Sequence, residues 1–254
     1  MSVPSSPAST IARHRKMSDF GTDRRRSRLA FCTLGMFIID RIEYLDNQQS
    51  PQENIIGGAG TYAALGSRLA AGPRNAHLVS WIVDMGSDFP PRFRQVIESW
   101  RTSCVFRHDA QRHTTTAWNG YGENEFRAFK YITPKLRLDE NDLNDEQLLS
   151  RSFHMVCSPA RCISLVQGIL DRRKRLLVDT SAGVDDDRPI FVWEPVPHLC
   201  TPEELSRLRE AAGYLDVVSP NADEFASFFE GSPECQTKEI QVQYLLGVNH
   251  LRSG

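Results

Sequence analysis

Asn221-Ala222-Asp223-Glu224 follows an apolar run, 214–218, with a Ser219-Pro220 break between them. The run predicts a buried strand, and the polar stretch predicts the start of a helix. Residues three apart on a helix share one side, so the Asn221 amide and the Glu224 carboxylate should face the same way. Such oxygen groups suit a hydrated Mg²⁺ that holds phosphates. A helix cap by Asn221, with acidic residues complementing the helix dipole, is the alternative interpretation.

The bulk composition is that of an ordinary globular protein. The chain has 254 residues, 40% hydrophobic and 24% charged, with a net charge of −2. This length supports one large α/β domain or two small ones with a sizeable core. The weak net charge gives no field that draws the chain to nucleic acid or a membrane. No apolar run approaches the roughly 20 residues of a membrane span, and no secretory signal is evident. We therefore expect a cytoplasmic protein.

The cysteines form no C-x-x-C pair, which favours buried free thiols in a reducing compartment over disulfides or zinc. The six are Cys32, Cys104, Cys157, Cys162, Cys200 and Cys235.

Residues 1–28 are rich in Ser, Pro and Arg and poor in apolar residues, so we predict a disordered tail. Its basic cluster, 24–28, leaves several roles open. They are nuclear import, phosphorylation at Ser27, a nucleic-acid patch, a mitochondrial address, or a solvated tail without a role.

From Leu29 onward, apolar strand patterns alternate with helical ones. Strands are predicted at 29–34, 36–39, 77–83, 153–157, 175–178, 190–193 and 214–218. Helices are predicted at 61–71, 93–100, 163–170 and 201–212, the last with a capping box at Thr201. Two β-like runs, 114–118 and 125–132, predict a hairpin.

Such alternation indicates an α/β protein with a mostly parallel sheet covered on both faces. Ligands then bind at the carboxyl ends of the strands. The stretches expected just past such ends are 35–40, Asp179, Glu194 and Asn221.

Gly57-Gly58-Ala59-Gly60 leads directly into the first predicted helix. One interpretation is a dinucleotide fingerprint, G-x-G-x-x-A, which needs a strand immediately before the glycines, where only 54–56 precede. The other is a di-glycine that lets the backbone approach a sugar closely. No G-K-[ST] occurs, which excludes a Walker-type phosphate loop.

In this order the motifs of residues 29–250 resemble those of the PfkB carbohydrate kinases, the ribokinase-like family. The matching stretches are Gly35-x-x-x-x-Asp40, Gly57-Gly58, Asp84-Met85-Gly86-Ser87-Asp88, the hairpin 114–132, and Asn221-x-x-Glu224. The stretches Trp193-Glu194-Pro195-Val196-Pro197 and Val218-Ser219-Pro220-Asn221 look most like a fungal, killer-virus-maintenance subgroup.

The resemblance implies a three-layer α/β/α sandwich over 29–254 with a small β-lid at about 112–133. It implies phosphorylation of an alcohol, on a sugar or nucleoside, with ATP and Mg²⁺ as cofactors. Asp40 would bind substrate hydroxyls, and Gly57 and Gly58 would bring the backbone to the sugar. Asn221 and Glu224 would organise Mg²⁺ and the phosphates, with Glu224 reaching the metal through water. Lids in this family sometimes pair between subunits, so a homodimer is possible.

The sequence departs from the family pattern twice. Tyr62 stands where the family usually has a sugar-binding Asn. The catalytic G-A-G-D motif, expected after Asn221-x-x-Glu224, is not found. The stretch 179–185 loosely echoes it but lies on the wrong side, so we interpret Asp185 as a decoy.

From these departures we expect a kinase domain without its C-terminal part and with little or no activity, as a fragment, a splice product or a pseudoenzyme. A non-catalytic sugar- or nucleoside-binding module and a dinucleotide-binding enzyme are the alternatives.

Overall fold

The structure, a computed structural model, describes residues 28–46, 49–123, 126–180, 187–232 and 237–246. Its strands are β1 Phe31–Thr33, β2 Ile38–Tyr44, β3 Gln52–Gly57, β4 Val79–Met85, β5 Ser103–His108, β6 Thr116–Tyr121, β7 Arg127–Tyr131, β8 Ser152–Cys157, β9 Ile190–Pro195 and β10 Val217–Val218. Its α-helices are α1 Ala59–Ala71, α2 Pro91–Ser99, α3 Asp145–Leu148, α4 Pro159–Thr180, α5 Leu205–Ala212, α6 Ala222–Ser227 and α7 Lys238–Leu246. Residues 1–27 of the predicted tail, Cys235 and the decoy Asp185 lie outside the described residues.

Six strands form the main sheet in the order β10-β9-β8-β1-β4-β5. Every neighbouring pair in it is parallel. Parallel strands need crossover connections, and the helices between them supply these and cover the sheet. The predicted parallel α/β architecture is confirmed.

Apolar side chains cover the two faces of this sheet separately. On one face, the helices α4 and α5 pack over Phe153, Phe191 and Trp193 of β8 and β9. The rings of Phe153 and Phe191 stack there with centroids 5.7 Å apart. On the other face, α1 and α2 pack over Trp81 and Val83 of β4. Each fully buried large apolar side chain contributes about 1.5–3 kcal/mol, so both helical layers are held mainly by burial.

A second sheet of four strands, in the order β3-β2-β6-β7, forms the lid. The strands β6 and β7 are the predicted antiparallel hairpin. The hairpin does not stand alone, because β2 pairs parallel with β6 and antiparallel with β3. The strand predicted at 36–39 overlaps only the first two residues of β2, and no strand was predicted at β3.

The predicted strand at 175–178 is wrong, because these residues belong to the helix α4. The apolar run 176–178 fits a strand or a buried helix equally well, and no Gly or Pro occurs between Gly168 and Thr180. Arginines on this helix also bind the connection that precedes β8. Arg172 donates to the Leu143 carbonyl at 3.2 Å, and the buried Arg173 donates to the Ser150 carbonyl at 3.2 Å. Asp179 therefore follows no strand.

Two smaller expectations also differ from the structure. The edge strand β5 was not predicted. The Thr201 capping box is wrong, because the Thr201 side chain caps no backbone N–H, and a short 3-10 turn, Pro202–Glu204, precedes α5. The five described cysteines are free thiols. Within the described ranges, no helix combines the length and apolar character that a membrane crossing requires.

Candidate functional site

The two sheets meet where the strands of the main sheet end. Because those strands are parallel, their carboxyl ends form one edge. Beyond β1 the chain passes Gly35 and enters β2 of the lid. Asp40 lies inside β2 as its third residue, and not just past a strand as predicted. Glu194 likewise lies inside β9.

Residues 86–88 tie the segment that leads into the lid to the end of β4, while Asp84 joins two strands of the main sheet. Asp84 accepts two hydrogen bonds from Arg107 of β5, at 2.7 and 2.9 Å. Asp88 accepts from the backbone N–H of Thr114 at 2.7 Å, just before β6. A Cβ atom on Gly86 would lie 2.2 Å from the same Thr114 nitrogen, so only glycine allows this approach.

The glycine turn before α1 is packed against β2. Gly58 has φ 93°, a conformation that favours glycine, and a Cβ there would lie 2.4 Å from the Met36 carbonyl oxygen. A Cβ on Gly57 would lie 1.9 Å from Oδ2 of Asp40. The di-glycine therefore makes room for the β2 backbone and for the Asp40 carboxylate.

This turn does not have the geometry of a dinucleotide site. A strand, β3, does precede the glycines, but it runs antiparallel to β2 within the lid. The fingerprint requires a strand and helix of a parallel βαβ unit. The geometry thus gives no support to the dinucleotide alternative.

Asp40 sits among polar groups on one face of the lid. Burial raises the pKa of Asp40, while a hydrogen bond with Asn119 and the charge of Arg127 act in the opposite direction. Asn119 is 2% exposed, and its Oδ1 accepts from Nη2 of Arg127 at 3.0 Å. Its amide NH₂ is then the group that donates to Asp40. Asn119 therefore connects the carboxylate to the guanidinium.

Tyrosines line the same region. Tyr62, on α1, is 59% exposed. Partial burial raises its pKa, and the nearby charge of Asp40 adds to that. Burial also raises the pKa of Tyr131; Arg137 opposes this and Asp40 adds to it. Asp40 and Tyr62 therefore lie close together.

Three residues of this face, Asn119, Arg127 and Tyr131, were not predicted from the sequence. Alternate residues of a strand share a face, and the β6–β7 register pairs Ala117 with Tyr131 and Tyr121 with Arg127. Ala117 also pairs with Asp40 across β2 and β6. The alternation of residues in the hairpin would therefore have identified the lid face that carries Asn119, Arg127 and Tyr131, if the pairing of β2 with β6 had been known.

A buried histidine links three strands of the main sheet near this edge. Nδ1 of His154 lies 3.0 Å from Oγ1 of Thr33, and its Nε2 lies 3.3 Å from Oε2 of Glu194. A neutral ring that carries its proton on Nε2 satisfies both partners. Thr33 is fully buried, so it cannot meet a substrate. The arrangement instead anchors the partly exposed Glu194 carboxylate at the edge.

Asn221 and Glu224 form a reciprocal helix cap at the start of α6. Asn221 Oδ1 accepts from the Glu224 N–H at 2.8 Å, and Glu224 Oε2 accepts from the Asn221 N–H at 2.9 Å. This is a capping box, so the capping interpretation describes the geometry. One of the two Glu224 oxygens is engaged in it. Burial raises the pKa of the nearby Cys200 to about 12, and the charge of Glu224 adds to this shift.

The predicted site residues thus lie at two places on one edge. Asn221 follows β10, while the glycine turn and Asp40 follow β1. Three strand spacings separate β10 from β1, or about 14 Å. In the described part of the chain, no group of three or more His, Cys, Asp and Glu residues could hold a metal ion. A Mg²⁺ that keeps its waters and binds phosphates needs only one or two protein carboxylates. Glu224 can supply one of them without further acidic ligands from the chain.

Two open cavities lie away from these residues. One, of about 480 Å³, lies between α5 and α7 and is lined by Pro202, Leu205, Ser206, Arg209, Glu210 and Tyr244. The other, of about 300 Å³, lies beyond the ends of β4 and β5, beside the Asp84–Arg107 pair.

Solved structures with the same architecture define the class of fold. Ribokinase from Giardia lamblia superimposes with a TM-score of 0.62 at 15% identity, covering 87% of this chain and 66% of that chain. A PfkB protein from Polaromonas sp. JS666 superimposes with a TM-score of 0.58 at 19% identity, covering 87% of this chain and 74% of that chain. Adenosine kinase from Schistosoma mansoni superimposes with a TM-score of 0.58 at 13% identity, covering 85% of this chain and 69% of that chain. The chain therefore has the ribokinase-like fold, as predicted.

Two curated relatives are similar in sequence. Protein MAK32 of Saccharomyces cerevisiae is 34% identical over 220 residues, which cover 82% of this chain and 57% of that protein. An uncharacterized protein of Schizosaccharomyces pombe is 35% identical over 192 residues, which cover 75% of this chain and 50% of that protein. The chain thus spans about half the length of these relatives. No protein-family profile matches the chain.

Proposed function

We propose that the chain belongs to the PfkB carbohydrate kinases, in a MAK32-like subgroup, and forms the acceptor-binding part of an ATP-dependent phosphotransferase. The acceptor is an alcohol group of a sugar or nucleoside. The observation that carries the proposal is the Asp40 carboxylate, held by the buried Asn119 beside the glycine turn where the lid meets the main sheet. The kinases named among the structural neighbours support the same class of reaction.

Asp40 has the chemistry to bind a polyol. An ionised carboxylate accepts several hydrogen bonds, and two neighbouring hydroxyls can share its oxygens. Partial burial removes competing water, which strengthens these bonds. Asn119 fixes the carboxylate in one orientation. The phenol of Tyr62, near Asp40, supplies a donor in place of the family's usual Asn.

The opposite end of the edge would receive the nucleotide. When bound, ATP supplies the phosphoryl group and Mg²⁺ neutralises its charge. Glu224 has one carboxylate oxygen outside the cap, which can accept a hydrogen bond from a metal-bound water. Asn221 holds Glu224 in place through the cap. Positioning and charge neutralisation are most of what phosphoryl transfer requires from a protein.

A non-catalytic sugar- or nucleoside-binding module is the second candidate. The observation that favours it is the reciprocal cap, because Asn221 and Glu224 already satisfy one another and need no ligand to explain them. A binding module would keep the Asp40 face and lose turnover. We propose that turnover by this chain is weak, since no described residue is identified as the general base.

Turnover of ATP with a panel of sugars and nucleosides tests the proposal, using Glu224→Gln and Asp185→Asn. Asp223→Asn, an exposed carboxylate in the same turn, is the matched control. The kinase proposal predicts acceptor-dependent turnover that Glu224→Gln abolishes and Asp223→Asn keeps. Loss of turnover in Asp185→Asn would show that Asp185 is not a decoy.

Thermal-shift measurements separate the two candidates, because a ligand that binds the folded state raises its melting temperature. Stabilisation by ATP with Mg²⁺ together with turnover supports the kinase. Stabilisation by sugars or nucleosides alone, without turnover, supports the binding module. Stabilisation by NAD and by none of these ligands would contradict both.

A further inference from the structure

Two serines near the N-terminus share a charge pattern that a protein kinase can recognise. Ser18 follows Arg15-Lys16-Met17, and Ser27 follows Arg24-Arg25-Arg26. Each serine therefore has Arg or Lys at both the third and the second position before it, and no other Ser or Thr of the chain does. Kinases select substrates partly by charge, and such a basic pair suits an acidic substrate groove. The pattern predicts two candidate phosphorylation sites for a basophilic kinase, one that selects basic residues.

The positive charge of the chain is concentrated around these serines. Residues 1–28 carry seven Arg and Lys against two Asp, a net charge of +5. Residues 29–254 carry 23 Arg and Lys against 30 Asp and Glu, a net charge of −7. An acidic kinase surface is therefore attracted by residues 1–28 and repelled by the rest of the chain.

The fold distinguishes Ser27 from Ser18. A kinase binds the target residue and its neighbours on both sides as one extended stretch, so that the hydroxyl can approach the γ-phosphate in line. The neighbours of Ser27 include Leu29 and Ala30, which the main sheet holds in place. Leu29 is 2% exposed, and its carbonyl accepts from the Arg151 N–H at 2.9 Å. The Ala30 N–H donates to the Leu78 carbonyl at 2.8 Å.

Arg28, directly after Ser27, is also engaged, because its Nε donates to the Leu149 carbonyl. A kinase could therefore bind the stretch around Ser27 only after these contacts break. Ser18 is farther from the sheet along the chain. The nine residues between Ser18 and Arg28 span up to about 30 Å when extended, enough to bring Ser18 into a kinase cleft without disturbing the fold.

We propose that Ser18 is a phosphorylation site for a basophilic protein kinase and that the fold protects Ser27. The Ser18 hydroxyl oxygen forms a bond to the γ-phosphorus of the ATP that the kinase binds, and the bond from that phosphorus to the ADP oxygen breaks. The catalytic aspartate of the kinase takes the hydroxyl proton. The phosphate adds a charge of about −1.5 to −2, which lowers the net charge of residues 1–28 from +5 to about +3. This inference does not depend on the proposed function.

Phosphorylation of the full chain by purified cyclic-AMP-dependent protein kinase, with ATP and Mg²⁺, tests the inference. Mass spectrometry of the digested chain locates each phosphate and follows it over time. We expect Ser18 to be modified at least about tenfold faster than Ser27, because a protected segment reacts only in the fraction of molecules in which it has opened.

Two variants with the same loss of charge test the basic pair. Arg15→Gln combined with Lys16→Gln should slow phosphorylation of Ser18 about tenfold, since it removes the charges that the kinase groove binds. Arg24→Gln combined with Arg25→Gln is the matched control, because it removes two charges from the same part of the chain. It should leave the rate at Ser18 unchanged.

An insertion tests the protection of Ser27. About six Gly and Ser residues placed between Ser27 and Arg28 keep the basic residues before Ser27 and move it away from the sheet. The insertion should raise the rate at Ser27 to near that at Ser18, and a rate that stays slow would contradict protection by the fold. Absence of phosphate on Ser18, or equal rates at the two serines in the parent chain, would overturn the inference. An unchanged rate at Ser18 after loss of Arg15 and Lys16 would overturn it as well.

Discussion

At the scale of single residues, the ionised Asp40 carboxylate lowers the stability of the fold but offers a group that can bind hydroxyls. Burial raises its pKa above the ordinary value of 3.8, so the folded chain holds the proton more tightly than the unfolded chain does. The stability from this group is fully present below pH 3.8 and is lost as the pH rises through the folded pKa. At pH 7 the ionised carboxylate therefore costs stability.

The variant Asp40→Asn should raise the melting temperature at pH 7, because an amide has no charge to desolvate. Near pH 3 the variant and the parent should differ little, since Asp40 is then protonated in both states. Thermal unfolding at the two pH values checks this. A lower melting temperature of the variant at pH 7 would contradict the assigned environment of Asp40.

Asn119 is the residue that orders this site. The variant Asn119→Ala removes the group that joins Asp40 to Arg127 and should lower the free energy of unfolding by about 1–3 kcal/mol, the usual cost of unsatisfied buried polar groups. Denaturant unfolding measures it. Gln52→Ala, which removes an exposed amide from the same sheet, should change stability by less than about 0.5 kcal/mol. Equal effects of the two variants would contradict the role of Asn119.

At the scale of elements, the stability of the fold tests whether Asn221 and Glu224 act as a helix cap at the start of α6. Asn221→Ala should lower the free energy of unfolding by about 1 kcal/mol because it removes the N-cap acceptor. Glu224→Gln should cost less, since a glutamine oxygen still accepts from the Asn221 N–H. Denaturant unfolding of both variants tests this. An unchanged stability in Asn221→Ala would show that the cap does not stabilise the fold.

The glycine turn before α1 offers a sharper comparison. Gly58→Ala should destabilise the fold by about 1–3 kcal/mol, because φ 93° is strained for alanine and the Met36 oxygen leaves no room. Gly66→Ala is the control within α1, where a Cβ meets no atom within 4 Å. There alanine should add about 0.5–1 kcal/mol of stability. The difference between the two midpoints of unfolding measures the effect, and equal midpoints would contradict the tight turn.

Long periodic elements were predictable from the sequence, and short ones were not. The helix α1 has clear spacing and ends at Gly72, whereas the apolar residues 176–178 continue the helix α4 without a break. The strand β3 carries a Gln, Glu and Asn before its apolar residues, so no alternation marks it. Its partner β2 supplies the pairing that makes it a strand, and this contact is nonlocal.

At the scale of the whole molecule, the order of motifs predicted the ribokinase-like architecture. The full set of residues at the candidate site could be identified only from the structure. Asp40, the di-glycine and Tyr62 were identified by resemblance and lie close together. Asn119, Arg127 and Tyr131 became visible only through the register of the lid. A register depends on which strands pair, and the sequence of one hairpin does not contain that information.

The central claim is that the lid face bearing Asp40 binds a hydroxylated ligand. Isothermal titration of polyols into the parent chain, Asp40→Asn and Arg41→Gln tests it most directly. Arg41 is the next residue along β2, points to the opposite face and pairs with Glu53. We predict saturable binding to the parent and to Arg41→Gln with similar affinity, and at least about a tenfold loss in Asp40→Asn, the effect of losing a charged hydrogen-bonding group. Undiminished binding in Asp40→Asn, or equal loss in both variants, would contradict the claim.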